Sequence, residues 1–438
     1  MALDPSDLFD FDSELGTEQR TIRDVVARFV DEQVLPTIAR DFDAQRFPRE
    51  LIAGLADLGI LGGSIEGYDC PGLDPLSYGL VCQQLERGDS ALRSFVSVQS
   101  SLCMYPIDAF GSAEQKSRYL PAMARGELVG CFGLTESQGG SDPGAMRTRA
   151  ERRGDEWVLT GEKTWITNAP IADVALVWAS TADGVRGFLI DTDTPGFEAR
   201  EIERKYSLRA STTGTIFLDD VVIPDSQRLP GTEVGLKAAL ACLTQARFGI
   251  AFGVLGAAEA CFREALDYCG TRELFGRPLS ATQGVQLRLA EMARKLATGQ
   301  TLALQLARNK ARGRLHPVQV SIAKWNNCRA AIDIAREARD LLGGAGITSE
   351  HAAIRRGGSQ RQDLRVVGGA HRQGDAGIRR EGRIETFVPV RERHRRRVLR
   401  LEAHVERLQV DAPHEQLVRD VGLHVGRTAK EIAAHTCA

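Results

Sequence analysis

From about residue 131 to about residue 230 the chain stops repeating its apolar residues at the helical period and breaks into short strand-like runs. Upstream, TIRDVVARFVDEQVL places Ile22, Val25, Val26, Phe29, Val30 and Val34 on one helical face, and Pro36 marks an end or a kink. Inside the window, EWVLTG, VALVWAS, RGFLID and GTIFLDDVVIP are β-prone and punctuated by Gly, Asp, Thr or Pro. Downstream, QGVQLRLAEMARKLATGQTLALQLARNKARG and HPVQVSIAKWNNCRAAIDIAREARDLLGG are helical again. Their apolar and alanine positions cover too wide an arc for one-sided surface helices, so they pack in a bundle or across a subunit interface. Pro317 suits a first helical turn and Gly343 a C-terminal stop.

This order predicts an α+β fold: a helical domain over 1–130, an antiparallel β domain over 131–232 and a helical domain over 233–355. Residues 356–438 are different material. Seven of the eight histidines lie at 351 or beyond, no lysine occurs between Lys324 and Lys430, and arginines crowd RERHRRRVLR.

A net charge of -2 gives no bulk field for nucleic acid or a membrane surface. The arginines of the tail are interleaved with Glu381, Glu385, Glu392, Glu402 and Glu406, which weakens a nucleic-acid reading. Nine cysteines without a CxxC pair suit reduced core thiols rather than a disulfide framework or a metal site. The acidic start MALDPSDLFDFDSELG is unlike a secretory or mitochondrial leader, and no stretch approaches the ~20 apolar residues of a membrane span. The expectation is a cytoplasmic protein.

Two stretches carry chemistry. CFGLTESQGGSDPGAM offers Thr135, Ser137 and Ser141 among glycines. On its residues alone it reads first as a polar turn, and second as a loop that hydrogen-bonds a flat heterocycle. It is neither a phosphate-binding loop ending in GK[ST] nor a GxGxxG turn. In GEKTWITNAP, Trp165 stands near two threonines on a β edge, as a core tryptophan or as a stacking surface for an aromatic cofactor.

Together GLTE…GSD and GEKTWITN, followed by ARFGIAFGVLGAAEAC, TRELFGRPL and DLLGGAGI, resemble the acyl-CoA dehydrogenase family of flavoproteins over residues 15 to 355. The resemblance implies FAD held between a helical domain, a β domain and a four-helix bundle. It also implies a homotetramer that passes electrons to an electron-transfer flavoprotein. The implied FAD contacts are Phe132, Leu134, Thr135 and Ser141, with Trp165, Ile166 and Thr167 against the ring. Arg272, Phe275 and Gln283 match positions that reach FAD across a subunit interface. Asp340, Leu341, Leu342, Gly343 and Gly344 match a helix end at its adenine half. Ser141 and Arg247 fall where the family meets acyl-CoA.

LERGDSALRSFVSVQSSL looks like the glutaryl-CoA dehydrogenase subgroup, which oxidises and decarboxylates glutaryl-CoA to crotonyl-CoA and CO2. There Arg93, with Ser94 beside it, would meet the distal carboxylate of the substrate. Burying that carboxylate requires a paired cation, and a guanidinium forms a bidentate bond. Glu86, seven residues earlier, is expected two helical turns back on the same face, holding the guanidinium. Without the resemblance Arg93 reads as a surface arginine at a helix start. The alternatives are a dehydrogenase for short monocarboxylic acyl-CoA, and a silent flavoprotein.

No catalytic base is found. The subgroup's glutamate should fall near Val367, where the chain reads DLRVVGGAHRQ, and the resemblance is expected to stop near Arg355. Two explanations of the Arg-, Gly- and His-rich tail compete: a shifted reading frame in a GC-rich gene, which is the expectation and in which Gly368-Gly369 could hide a glutamate codon, and a genuine diverged tail on a flavoprotein that binds without dehydrogenating. Glu350, Asp363, Glu381 and Glu385 read as solvated surface acids. Loss of the last helices would expose apolar faces, so poor solubility or partial FAD occupancy is expected.

Overall fold

Val26, Val30, Val34 and Ile38 share one face and all four are buried. They run through helix α1 (Thr17–Phe29), a wider π-helical turn over Val30–Val34, and α2 (Ile38–Ala44). The break expected at Pro36 lies between that turn and α2. In the computed structural model, residues 4–352 and Arg355 are described. The first domain continues with α3 (Leu51–Asp57), a small hairpin of β1 (Glu66–Gly67) and β2 (Cys70–Pro71), and α4 (Pro75–Gly88). Asp74 caps α4 by accepting from the Leu76 amide at 2.8 Å, with Pro75 in the first turn, where its missing N–H costs nothing. Then follow α5 (Ser90–Ser97), a π-helical turn over Val98–Met104, α6 (Tyr105–Phe110) and α7 (Ala113–Ala124).

The middle domain is one seven-stranded sheet: β3 (Gly130–Gly133), β4 (Arg149–Arg153), β5 (Glu156–Thr167), β6 (Val174–Thr181), β7 (Gly184–Asp191), β8 (Phe197–Glu201) and β9 (Thr213–Pro224). It is not wholly antiparallel as expected, because β3 and β6 pair in parallel from Gly130↔Val174 to Gly133↔Val177. The chain leaves β3, runs out along β4 and back along β5, and so enters β6 in the direction of β3. Strand alternation alone carries no information about that direction. The other strand pairs are antiparallel, apart from a single parallel bridge between β4 and β6.

The third domain contains α8 (Leu236–Thr271), a short hairpin of β10 (Glu273–Leu274) and β11 (Arg277–Pro278), α9 (Gln283–Ala311) and α10 (Pro317–Leu341). Pro317 occupies the first turn of α10, and Gly343 takes φ +59° just past its end, as the sequence suggests. Asn327 pins three helices together by donating to the Ala251 carbonyl at 2.7 Å and the Gly299 carbonyl at 3.3 Å. Any fourth bundle helix lies outside the described residues.

The expectation that no stretch reaches membrane-spanning length is corrected by α8, which is long and apolar enough by length and composition. Its apolar residues face other helices: Phe248, Phe252, Leu255 and Phe262 are buried in one cluster with residues of α4, α9 and α10. Each such side chain contributes about 1.5–3 kcal/mol of burial.

Candidate functional site

Strand β3 delivers Phe132 and Leu134, both buried, and then Thr135, half-buried. The Thr135 carbonyl accepts the Thr164 amide at 2.9 Å, so the loop after β3 is tied to the last turns of β5. Between Lys163↔Ile216 and Ile166↔Gly214, strand β5 carries one extra residue against β9. This bulge contains Trp165, a non-glycine residue at φ +60° that is 56% exposed. Bulges re-aim side chains, and here the indole is turned outward beside Thr135 and the half-buried Thr167. Trp165 is therefore not a core tryptophan. Ile166 points the other way, into the sheet core.

Beneath this surface lies an ion pair that the sequence reading missed. The Lys163 ammonium, fully buried, donates to Glu136 Oε1 at 2.7 Å and to the Leu134 carbonyl at 3.3 Å. Glu136 also accepts the Arg147 amide at 2.6 Å, the Thr148 amide at 3.0 Å and the Gln138 side-chain amide. Desolvation alone would raise this carboxyl. The Arg147 amide, the Lys163 ammonium and Thr148 outweigh it and hold the group at about 2. The available signal was slight: an acid just past one strand-like run, in GLTE, and a lysine within another, in GEKTW.

Arg93 is buried, so it is not a surface arginine at a helix start. Its Nε donates to Glu86 Oε2 at 2.6 Å, and Ser90 Oγ donates to Glu86 Oε1 at 2.9 Å. The expected pairing is present, but not on one helical face. Asp89, at φ -161° and ψ 148°, breaks the helix between α4 and α5 and caps α5 through the Ala91 amide at 2.9 Å. The pair spans that corner. Gly253 of α8 makes room for it, since a Cβ there would lie 2.3 Å from Glu86 Oε2. Ser94 is buried beside Arg93. Arg247, half-buried on α8, has no carboxylate within ion-pair reach among the described residues, and burial pulls its guanidinium below the usual range. An uncompensated cation of this kind suits an anionic ligand.

Arg272, Phe275 and Gln283 are all exposed, Phe275 completely, around the hairpin that follows α8. Asp340 reaches the same region through Arg288, which pairs with Glu337 at 2.6 Å and lies 3.9 Å from Asp340. Leu341 and Leu342 are buried, while Gly343 and Gly344 are exposed. Helix α8 is 36 residues long, about 54 Å at the helical rise. Its first turns pack with Phe132 and Leu134, whereas Arg272 caps its last turn. The implied site residues thus fall into two groups at opposite ends of α8, and one chain does not bring them together. Ser141 is exposed on the loop after β3. Val367, Asp363, Glu381 and Glu385 lie outside the described residues, and Glu350 is exposed, as a surface acid would be.

The domain organisation has counterparts among known proteins. Sequence profiles match in three blocks: Acyl-CoA dehydrogenase, N-terminal domain, over residues 16–127; middle domain, over 131–221; and C-terminal domain, over 233–370. The mitochondrial short-chain specific acyl-CoA dehydrogenase of Bos taurus is 34% identical over 348 residues, 78% of this chain and 84% of that protein. The chain belongs to the acyl-CoA dehydrogenase family. Among solved structures, a glutaryl-CoA dehydrogenase from Mycobacterium smegmatis is 48% identical with a TM-score of 0.83, covering 87% of this chain and 100% of that one. A glutaryl-CoA dehydrogenase of the same organism in complex with FADH2 is 47% identical with a TM-score of 0.81, covering 86% and 100%.

Acyl-CoA dehydrogenases are FAD-dependent oxidoreductases, and the residues here fit that cofactor. The outward indole of Trp165 offers a flat stacking face. The Thr135 and Thr167 hydroxyls beside it offer polar partners for a heterocycle. The C-terminal match continues to residue 370, past the stop expected at Arg355.

Proposed function

We propose that this acyl-CoA dehydrogenase is of glutaryl-CoA type. The observation that carries the reading is the buried Arg93–Glu86 pair. A guanidinium held at a helix corner by a buried carboxylate is a receptor for the distal carboxylate of a dicarboxylyl thioester. The structural similarity to glutaryl-CoA dehydrogenases supports the same reading.

FAD, when bound, supplies the acceptor for the β-hydride of the substrate. Thr135, Trp165 and Thr167 would hold its ring on the sheet, and the exposed Trp165 would seal one side against water. Arg93 and Ser94 would hold the distal carboxylate, and Arg247 would face the anionic part of the acyl-CoA. Because the second group of residues sits at the far end of α8, we assign Arg272, Phe275 and Gln283, with Asp340 to Gly344, to a cofactor held by a neighbouring subunit of a homotetramer. Electron-transfer flavoprotein is the proposed acceptor and the cytoplasm the proposed compartment. The eight described cysteines are all free, which suits a reducing environment.

The α-proton requires a carboxylate within hydrogen-bond reach. We propose that the coding sequence shifts frame between residues 355 and 370, so that the glutamate expected near Val367 is read out of register. Sequencing the gene across this interval tests the point, and a shifted frame without a glutamate sinks it. The substrate is tested with Arg93→Ala: loss of glutaryl-CoA binding with butyryl-CoA unaffected supports the dicarboxylyl reading. The short-chain reading draws on the Bos taurus relative, and equal effects on both substrates would favour it. Anaerobic addition of glutaryl-CoA to flavin-loaded protein separates turnover from silent binding, since only turnover bleaches the flavin.

A further inference from the structure

The carboxylate of Glu136 gathers donors from three separate segments: the loop after β3 through Gln138, the approach to β4 through the Arg147 and Thr148 amides, and β5 through Lys163. Two of these segments carry the residues of the outer surface, Thr135 just after β3 and Trp165 on β5. Lys163 stands two residues before Trp165 and Glu136 one residue after Thr135. The pair is buried, with side-chain exposures of 0% and 4%. Burying two charges is not required for stability, because apolar residues of similar volume are often neutral or stabilising in their place. Such a pair fixes geometry instead. Trp165 at φ +60° also needs its surroundings to hold it, since a non-glycine residue leaves that region when released.

We propose that Glu136 and Lys163 are positioning residues for the cofactor, setting the separation between the Thr135 backbone and the Trp165 bulge and so the seating of the flavin ring. The proposal rests on the flavin reading of this surface. Neither side chain needs to touch the ring. The carboxylate holds the loop after β3, the ammonium holds β5, and the Thr164 amide to Thr135 carbonyl bond keeps the two in register.

The test uses the full-length protein loaded with FAD. Glu136→Gln keeps the shape of the carboxylate, and Glu136→Gln/Lys163→Met removes both charges without leaving either unpaired. Both variants are expected to keep the wild-type circular dichroism in the far ultraviolet. Both should bind FAD about tenfold more weakly, the loss of one charge-assisted hydrogen bond holding the loop. The visible circular dichroism of the bound flavin should change, because the ring sits differently. Lys163→Arg, which keeps the cation, should retain most of the affinity. Unchanged FAD affinity and an unchanged visible spectrum in the double variant overturn the proposal. So does failure of both variants to fold, which would make the pair a core element only. If wild-type protein takes up no FAD, the flavin reading itself fails, a result distinct from a variant that matches wild type.

Discussion

Arg93 and Glu86 meet at 2.6 Å across a helix break, with Asp89 in extended conformation between them. The corner at Asp89, rather than helical periodicity, places the two side chains together. Glu86→Gln replaces the ion pair by a hydrogen bond from the guanidinium to a neutral amide oxygen, a loss of about 1–2 kcal/mol. It should raise KM for glutaryl-CoA by about tenfold and leave butyryl-CoA little affected. Steady-state kinetics with both substrates, on flavin-loaded protein with its base restored, would check this. Equal changes for both would remove Arg93 from substrate selection.

Helix α8 approaches α4 through glycine. A Cβ at Gly256 would lie 1.9 Å from the Gln83 carbonyl oxygen, part of the α4 backbone, which cannot swing aside as a side chain can. Gly256→Ala should therefore destabilise by about 1–3 kcal/mol or more, seen as a lower thermal midpoint. Gly253→Ala presses on the Glu86 and Arg93 side chains instead, so it should weaken glutaryl-CoA binding as well.

Lys310 donates to Gln245 Oε1 at 2.8 Å and lies 4.3 Å from the centre of the Phe248 ring. Burial lowers its pKa from 10.5 to about 8. Between these values the unfolded chain binds more protons than the folded one, so this residue makes stability rise with pH from about 8 to 10.5. Lys310→Met should remove that rise and stabilise the protein near neutral pH. Chemical denaturation across this range measures the slope, and an unaltered slope would contradict the assignment.

Glu136 runs the opposite way. Its folded pKa of about 2 lies below the 4.5 of an ordinary glutamate, so its contribution is present above 4.5 and is lost as pH falls toward 2. Glu136→Gln should flatten the acid limb of the stability profile in that window.

The two groups at opposite ends of α8 predict complementation. A Thr135→Ala/Trp165→Ala chain and an Arg272→Ala/Phe275→Ala chain should each hold FAD poorly. Co-refolded in equal amounts, they should regain about a quarter of the wild-type sites, the expectation for random pairing of intact halves. Flavin content per chain, measured after gel filtration, reads this directly. No recovery on mixing would place both groups in one chain's site.

Much of the architecture was legible from period alone. The face of α1 apart from the exposed Val25, the breadth of α9 and α10, Pro317 in a first turn and Gly343 at a helix end all follow from local rules of spacing and backbone freedom. Local rules act over a few residues. They therefore missed the parallel pairing of β3 with β6, which depends on how the chain returns to the sheet. They also placed Glu86 and Arg93 on one helix where two meet. Motif resemblance supplied Thr135, Trp165 and Arg93 as candidates without saying which were buried.

The order of helices and strands, the family motifs and the change of composition after Arg355 were set by the residues themselves, because each is a property of neighbours along the chain. Packing between distant segments settled the rest: the outward turn of Trp165, the buried Glu136–Lys163 pair, the corner that joins Arg93 to Glu86, and the separation of the implied cofactor contacts into two groups. These are relations between residues 7 to more than 100 positions apart. They exist only once burial has fixed which charges must find partners.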